Sequence, residues 1–476
     1  MSCTTSLPAV AAEADQTSPI QTLGLREPSE PGEFFWEATP TELEAFAPGI
    51  DVDSTPVMEP TSAVQSAEWH TTGERDRTAV QPVRHQQISS FRNARHWLGL
   101  DTALTGQLLD FQNRQTDKEL FILHHRKRVG ARTPMVVAGG QARLSFLAAA
   151  TNTENKFPYL GRFPTDFSGD TATDARILQA NTQLTAHVAP AVSFYGELLF
   201  SDVFTFGDFK QGSLQVRQAF ALIGDLEVSP FYLYIGKKNI GYGDFSTLSP
   251  FTQAVTWHYF AALGEGLGLG YHDQNWDLTL AAINGGRGIR LNDSPERGKL
   301  NNMAANATWR SGNGHDQNVQ LGAGFLLGTI YDGFVAEHLD QNQFGTDYNG
   351  AWTVNGRVDR GRVTLAGEYT STTSSWPVIG SLVSAYRAEA AYWLDRGARA
   401  SFWNVSWSAG DQGADGTEFE FNRQLVVGYS KQLNPQCRVS AEYVRSTGFA
   451  PLINISTVSD RDVAQDSMVL GMTLVL

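Results

Sequence analysis

The chain ends on SMVLGMTLVL, residues 467–476, a bare apolar strand. Side chains in a strand alternate between two faces. Met468, Leu470, Met472, Leu474 and Leu476 share one face and are all large and apolar; Ser467, Val469, Gly471, Thr473 and Val475 share the other and are mostly small. A soluble sandwich can hide such a strand between sheets. A membrane barrel would turn the large face to lipid and use the strand to seal its wall.

Composition narrows the choice without making it. The 476 residues are 41% apolar, enough for a large core or several domains. No stretch approaches the roughly 18 consecutive apolar residues of a transmembrane helix. Aromatic residues at 11% and 45 glycines suit a barrel with a polar inner wall, and equally a secreted sandwich. The two cysteines, Cys3 and Cys437, offer neither metal spacing nor a disulfide framework.

The spacing of turns is more telling. From Ala138 onward, alternating runs are separated by connectors that are short and long in turn. The short ones are Val188–Ala191, Glu227–Pro230, His272–Asn275, Ser311–Asp316, Asp359–Gly361, Asp395–Gly397 and Asn434–Gln436, each rich in turn residues. The long ones are 152–174, 201–213, 240–264, 285–300, 329–348, 371–383, 409–420 and 447–465. Seven hairpins, a first strand near Gln141–Ala150 and the last strand make about sixteen, with both ends on the short-turn side. Sorting of loops by length is a trait of outer-membrane barrels, and a sandwich has no reason to show it. The expected fold is all-β, a transmembrane antiparallel barrel over residues 131–476. Met468, Leu470, Gly471, Leu474 and Leu476 belong to its closing strand, whose pattern also resembles the terminal signal read by the barrel-assembly machinery.

Most runs keep their charges away from the apolar row. Phe194 and Leu198 oppose Ser193, Tyr195 and Glu197; Val363, Leu365 and Tyr369 oppose Arg362, Thr364 and Glu368; Tyr386, Ala388, Ala390, Tyr392 and Leu394 oppose Arg387 and Glu389. An Arg or Lys facing lipid at the midplane costs about 2–4 kcal/mol, so these charges should line a lumen. The expected pore-lining set is Glu197, Arg217, Lys238, Arg310, Arg357, Arg362, Glu368, Arg387, Glu389, Arg438 and Glu442. Charged rings set solute preference in channels; mutual salt bridging that merely fills the wall is the alternative. Gln218 and Arg423 interrupt the apolar rows, marking bulges or register shifts. The long connector Asn239–Leu263 is expected to fold inward or to form a solute-contacting rim.

Residues 1–90 read as a disordered acidic arm. Up to His85 it holds 14 Asp and Glu against 4 Arg and no Lys, a net of −10, with about half of the prolines. Its opening, MSCTTSLPAVAAEADQ, carries A-x-A triplets like a signal-peptide cleavage site but no basic region before them, which reads as a remnant or misassigned start. Residues 91–130 are expected to form a short periplasmic helix, with Leu109, Thr116, Leu120 and Leu123 at near-helical spacing and a basic last turn.

Other chemistries find little support. Gly264, Gly266, Gly268 and Gly270 are followed by a turn and a strand, not by the helix a dinucleotide site requires. His124 and His125 are adjacent, so a helix splays them apart, and no metal site is expected. Ser, His and Asp occur without a nucleophile signature, so no enzyme and no cofactor is expected.

The segments ELFILHHRKRVGARTPMVVAGGQARLSFLAAATNTENKFPYLGRFP and VRQAFALIGDLEVSPFYLYIGKKNIGYGDFSTLSPFTQAVTWHYFAALGEGLGLGY together resemble the Legionella-type siderophore porin family, the LbtU-like outer-membrane proteins. The landmarks are Arg217, Ile235–Lys238, Gly243–Phe245 and Ser249–Thr252, and the resemblance spans about residues 118–476. It implies a sixteen-strand barrel that moves iron chelates without a TonB-type plug. The expected setting is a bacterial outer membrane with the arm in the periplasm. The expected partners are lipid, a small solute or iron chelate, the assembly machinery and copies of itself in a homotrimer, with no nucleic acid. A general or anion-leaning porin and a structural or adhesive barrel are the alternatives.

Overall fold

The computed structural model describes residues 98–476 except 114–115, 130–133, 158–168, 202–212, 293–297, 313–316, 333–347, 378, 417–419 and 449–460. The acidic arm lies outside the described residues. A short strand β1 (Leu98–Leu100) leads to helices α1 (Thr102–Leu108) and α2 (Lys118–Val129). Sixteen strands follow: β2 (Met135–Thr151), β3 (Thr171–Ala189), β4 (Val192–Ser201), β5 (Ser213–Gly224), β6 (Phe231–Asn239), β7 (Leu263–His272), β8 (Trp276–Ile289) and β9 (Asn302–Gly312) in the first half. The second half holds β10 (Gln317–Leu326), β11 (Ala351–Arg360), β12 (Val363–Thr372), β13 (Ser384–Asp395), β14 (Ser401–Asp411), β15 (Phe421–Asn434), β16 (Cys437–Gly448) and β17 (Ala464–Val475). A third helix, α3 (Val255–Phe260), interrupts the connector between β6 and β7.

Each of the sixteen pairs antiparallel with its neighbour, and β17 closes on β2 from Gln465↔Thr151 to Val475↔Gln141. Leu476 completes the seam, its N–H donating to the Gly140 carbonyl at 2.8 Å. Closure leaves no strand edge along this wall, which a membrane demands because lipid offers no hydrogen bonds. β2 begins before β17 ends, and β1 pairs parallel with that overhang, Leu98↔Val136 to Leu100↔Ala138. No alternation in three residues could have announced it.

The closing strand sorts its faces as its sequence requires. Met468, Leu470, Met472, Leu474 and Leu476 are exposed on the outside, while Ser467, Val469, Thr473 and Val475 are buried. Phe194, Leu198, Leu365, Tyr392, Trp403, Val405 and Trp407 continue the outer apolar wall that lipid covers. Leu470→Arg should therefore destabilise the barrel by about 2–4 kcal/mol if it sits near the midplane. Reversible folding into lipid vesicles checks this; an unchanged folding free energy would remove Leu470 from the lipid face.

The two interrupted rows have different causes. In β5, Val216 pairs with Leu198 and Gln218 with Glu197, so Arg217 is a bulge residue and side-chain parity flips there. Gln218 thereby turns inward and is 1% exposed. Arg423 sits in regular register on the outer face, near the long-connector end of β15, with its guanidinium 4.5 Å from the Phe421 ring centre.

The single short helix expected within residues 91–130 is two. Asp110 accepts hydrogen bonds from the Gln112 N–H and the Asn113 side chain, a local turn that competes with helical bonding. The glycine row of β7 meets a packing demand: a Cβ on Gly268 or Gly270 would lie within 2.3 Å and 2.0 Å of the Tyr234 and Tyr232 rings of β6.

Candidate functional site

The lumen is where the chain concentrates its chemistry. Two segments enter it, the described residues of 101–129 with α1 and α2, and the connector 240–262. Of the two fates open to that connector, the structure takes the inward one: nearly all of it is buried.

Three wall carboxylates hold the connector by its backbone. Glu368 on β12 accepts from the N–H groups of Asp244 and Phe245 at 2.9 and 3.1 Å. Glu389 on β13 accepts from the Leu248 N–H at 3.0 Å and from the Thr247 hydroxyl. Glu442 on β16 accepts from the N–H groups of Phe251 and Thr252 at 2.7 and 2.9 Å. Arg387 joins the first two, reaching Glu368 at 3.1 Å, Glu389 at 2.5 Å and the connector's own Asp244 at 2.5 Å. The connector leaves β6 and is fastened six to seven strands away around the barrel, so it crosses the lumen. Charge-assisted bonds from backbone N–H to carboxylate are about twice as strong as neutral ones.

At the tip, Phe251 rests on Gly471 of the closing strand, where an added Cβ would lie 2.5 Å from its ring. Arg143 on β2 stacks on the same ring at 4.3 Å and donates to the Phe251 carbonyl at 3.0 Å. Gly471→Val should therefore lift the tip from the wall. Increased chymotrypsin cutting at the aromatic residues between 240 and 262 in folded protein is the expected readout; an unaltered digest would show that the ring has another seat.

The N-terminal segment is fastened by charge. Lys118 meets Glu197 on β4 at 2.6 Å, and Glu119 meets Lys238 on β6 at 2.5 Å. All four side chains are 6% exposed or less. Burial pulls the Lys118 ammonium below its ordinary range and pushes the Glu119 carboxyl above its own, each opposed by the partner charge. More loosely, Asp117 faces Arg310 on β9 at 3.7 Å and Asp110 faces Arg438 on β16 at 3.9 Å. Arg310 also pairs with Asp277.

The two inward segments bind each other as well. The Gln112 side chain donates to the carbonyls of Ser249 and Thr252, and Gln253 donates to the Phe111 carbonyl. Phe111 packs on Trp257 at 5.4 Å. Leu104, Leu108, Ile122 and Leu123 share one apolar core with Tyr242, Phe245, Trp257 and Tyr259 of the connector.

The residues expected to line a pore therefore fall into groups. Glu197, Lys238, Arg310 and Arg438 face the N-terminal segment; Glu368, Arg387, Glu389 and Glu442 face the connector. Arg217 lies beside Asn239, and Arg357 pairs with Asp359 on its own strand. Arg362 must be corrected: β12 begins at Val363, and Arg362 stands exposed in the short turn 361–362, where Gly361 takes a φ of 54°. The sequence reading missed Lys118, Glu119, Asp244, Gln112 and Arg143. The basic last turn of α2 drew notice instead, because helix-end charges have a local explanation, whereas Lys118 and Asp244 meet wall partners 79 and 143 residues away, which leave no spacing to read.

No protein-family model and no curated protein matches the chain. Among solved structures it is similar to the outer membrane channel DcaP of Acinetobacter baumannii, at 14% identity, 73% of this chain, 98% of that chain and a TM-score of 0.48. The anion-selective porin from Comamonas acidovorans gives 11%, 72%, 99% and 0.49. Salmonella typhi OmpF in complex with daunomycin gives 16%, 72%, 98% and 0.46.

Proposed function

We propose that this chain is an outer-membrane diffusion channel for small solutes, its short-turn end and N-terminal arm on the periplasmic side. The observation that carries the reading is the sorting of the wall: a sealed barrel with apolar side chains outside and rows of charge inside. An adhesive anchor has no need of an inner wall equipped on this scale, with a connector strapped across it by three carboxylates. The connector and the N-terminal segment then act as the elements that restrict passage.

The solute is the finer question. The resemblance of residues 118–476 to siderophore porins favours a ferric chelate, with Arg217 and Lys238 beside the route. A second reading, a general porin, draws on the pairing of lumen charges, which leaves little net field to select anions or cations. Single-channel recording in planar bilayers tests both. Current steps blocked by a ferric chelate and not by sugars or phosphate support the first, and indifference to chelates supports the second. Silence from verified folded barrels, including barrels from which residues 1–129 have been deleted, would overturn the channel.

A further inference from the structure

Four side chains link α2 to the wall in one line. The Asp101 carboxylate lies 3.3 Å from His125 Nε2; His125 Nδ1 lies 3.0 Å from His187 Nε2; His187 Nδ1 lies 2.8 Å from Ser193 Oγ. Asp101 also caps α1, accepting from the Leu104 N–H at 2.9 Å. His125 is on α2, His187 on β3 and Ser193 on β4. Both imidazoles are buried and stacked at 5.3 Å between ring centres.

We propose that His125 and His187 form a proton-operated latch that seats residues 101–129 in the lumen at neutral pH and releases them in acid. The argument is one of donors and acceptors. With both rings neutral, the order Ser193 O–H to His187, His187 N–H to His125 and His125 N–H to Asp101 satisfies every atom. One added proton is tolerated, because the Ser193 hydroxyl can turn and accept from His187 instead. A second proton sets N–H against N–H across 3.0 Å and puts two cations in contact. Free in water, each ring takes its own proton near the ordinary imidazole value of about 6.5. The released segment therefore binds more protons than the seated one, and acid favours release.

The surroundings oppose a second charge. Arg126 on α2 reaches Ser193 Oγ at 3.5 Å and also donates to the Gly224 carbonyl. Arg128 faces Asp101. Asp225 and Glu227 in the turn after β5 face Arg126 rather than the rings. On the other side of α2, His124 meets His272 edge-on at 5.0 Å, and His272 pairs with Asp277, which also holds Arg310. That second histidine pair is the natural control.

The inference rests on the channel reading, and its test keeps the two separable. Hydrogen exchange of the full chain in detergent is followed by mass spectrometry at about pH 8 and about pH 4.5, either side of the imidazole value and corrected for intrinsic rates. Protection of residues 101–129 should fall about tenfold or more in acid while strand peptides keep theirs. His125→Gln/His187→Gln and the single His187→Gln, whose amide can donate or accept but takes no proton, should lose this response; His272→Gln should keep it. An unchanged wild type, a loss spread over all strands, or the same acid response in either glutamine variant overturns the latch. Bilayer current is recorded in parallel. Release without current overturns the channel and leaves the latch; current without release does the reverse.

Discussion

Arg387→Leu is expected to lower barrel stability sharply and to free the connector across the lumen. Its guanidinium is 1% exposed and bridges Glu368 and Glu389, both 0% exposed, to Asp244. Without it, two buried carboxylates face each other and the connector's aspartate with no counter-charge. Breaking a buried pair by removing one partner costs about 3–5 kcal/mol, because the remaining charge stays buried. Part of that cost disappears if the connector leaves and lets water in, so stability and passage are linked. The expected outcome is a lower midpoint in heat-dependent gel mobility together with larger current steps. Arg387→Lys keeps the charge but presents a point instead of a fork, so it should fall between the two. A leucine variant with wild-type midpoint and current would mean that the cluster holds nothing in place.

The barrel was legible because its signal is local. Alternation in Ser467–Leu476, the turn residues of Asp359–Gly361 and Asn434–Gln436, and the contrast between short and long connectors each sit within a few residues of chain. The route of connector 239–263 was legible only as a pair of options, since its aromatic residues mark it for burial without saying where. What fills the lumen was not legible. Glu197 reads as an inward carboxylate, but that Lys118 answers it 79 positions earlier is a fact of three dimensions. Gln218 was legible as the mark of a bulge or a register shift, and the bulge residue Arg217 shifts the parity of all that follows. Arg362 failed for the opposite reason: alternation was extended one residue past the point where the strand becomes a turn.

Reversing Lys118 to glutamate should unseat the N-terminal segment more completely than any other single change in it. The new carboxylate would meet Glu197, which is already held by the Asn181 amide at 2.7 Å, the Tyr195 hydroxyl at 3.1 Å and the Gln218 amide at 3.3 Å. Those donors hold the Glu197 carboxylate in place on the wall, so α2 must yield. The neighbouring Glu119–Lys238 pair lies one residue along the helix and would be dragged out with it, so the loss exceeds one contact. Single-channel current should rise and exchange protection over 118–129 should fall by an amount matching about 3–5 kcal/mol. The charge swap Lys118→Glu with Glu197→Lys tests whether attraction alone seats the helix. It should recover only part of the loss, because Asn181, Tyr195 and Gln218 would then point donors at an ammonium. A coupling energy of about 0.5–3 kcal/mol between the two sites is expected for residues in one network. Full recovery would reduce the seat to simple attraction, and a coupling of zero would detach Lys118 from Glu197 altogether. Added salt separates this seat from a surface contact: exposed pairs are screened beyond a Debye length of about 10 Å at 0.1 M, whereas a pair this buried should keep α2 protected.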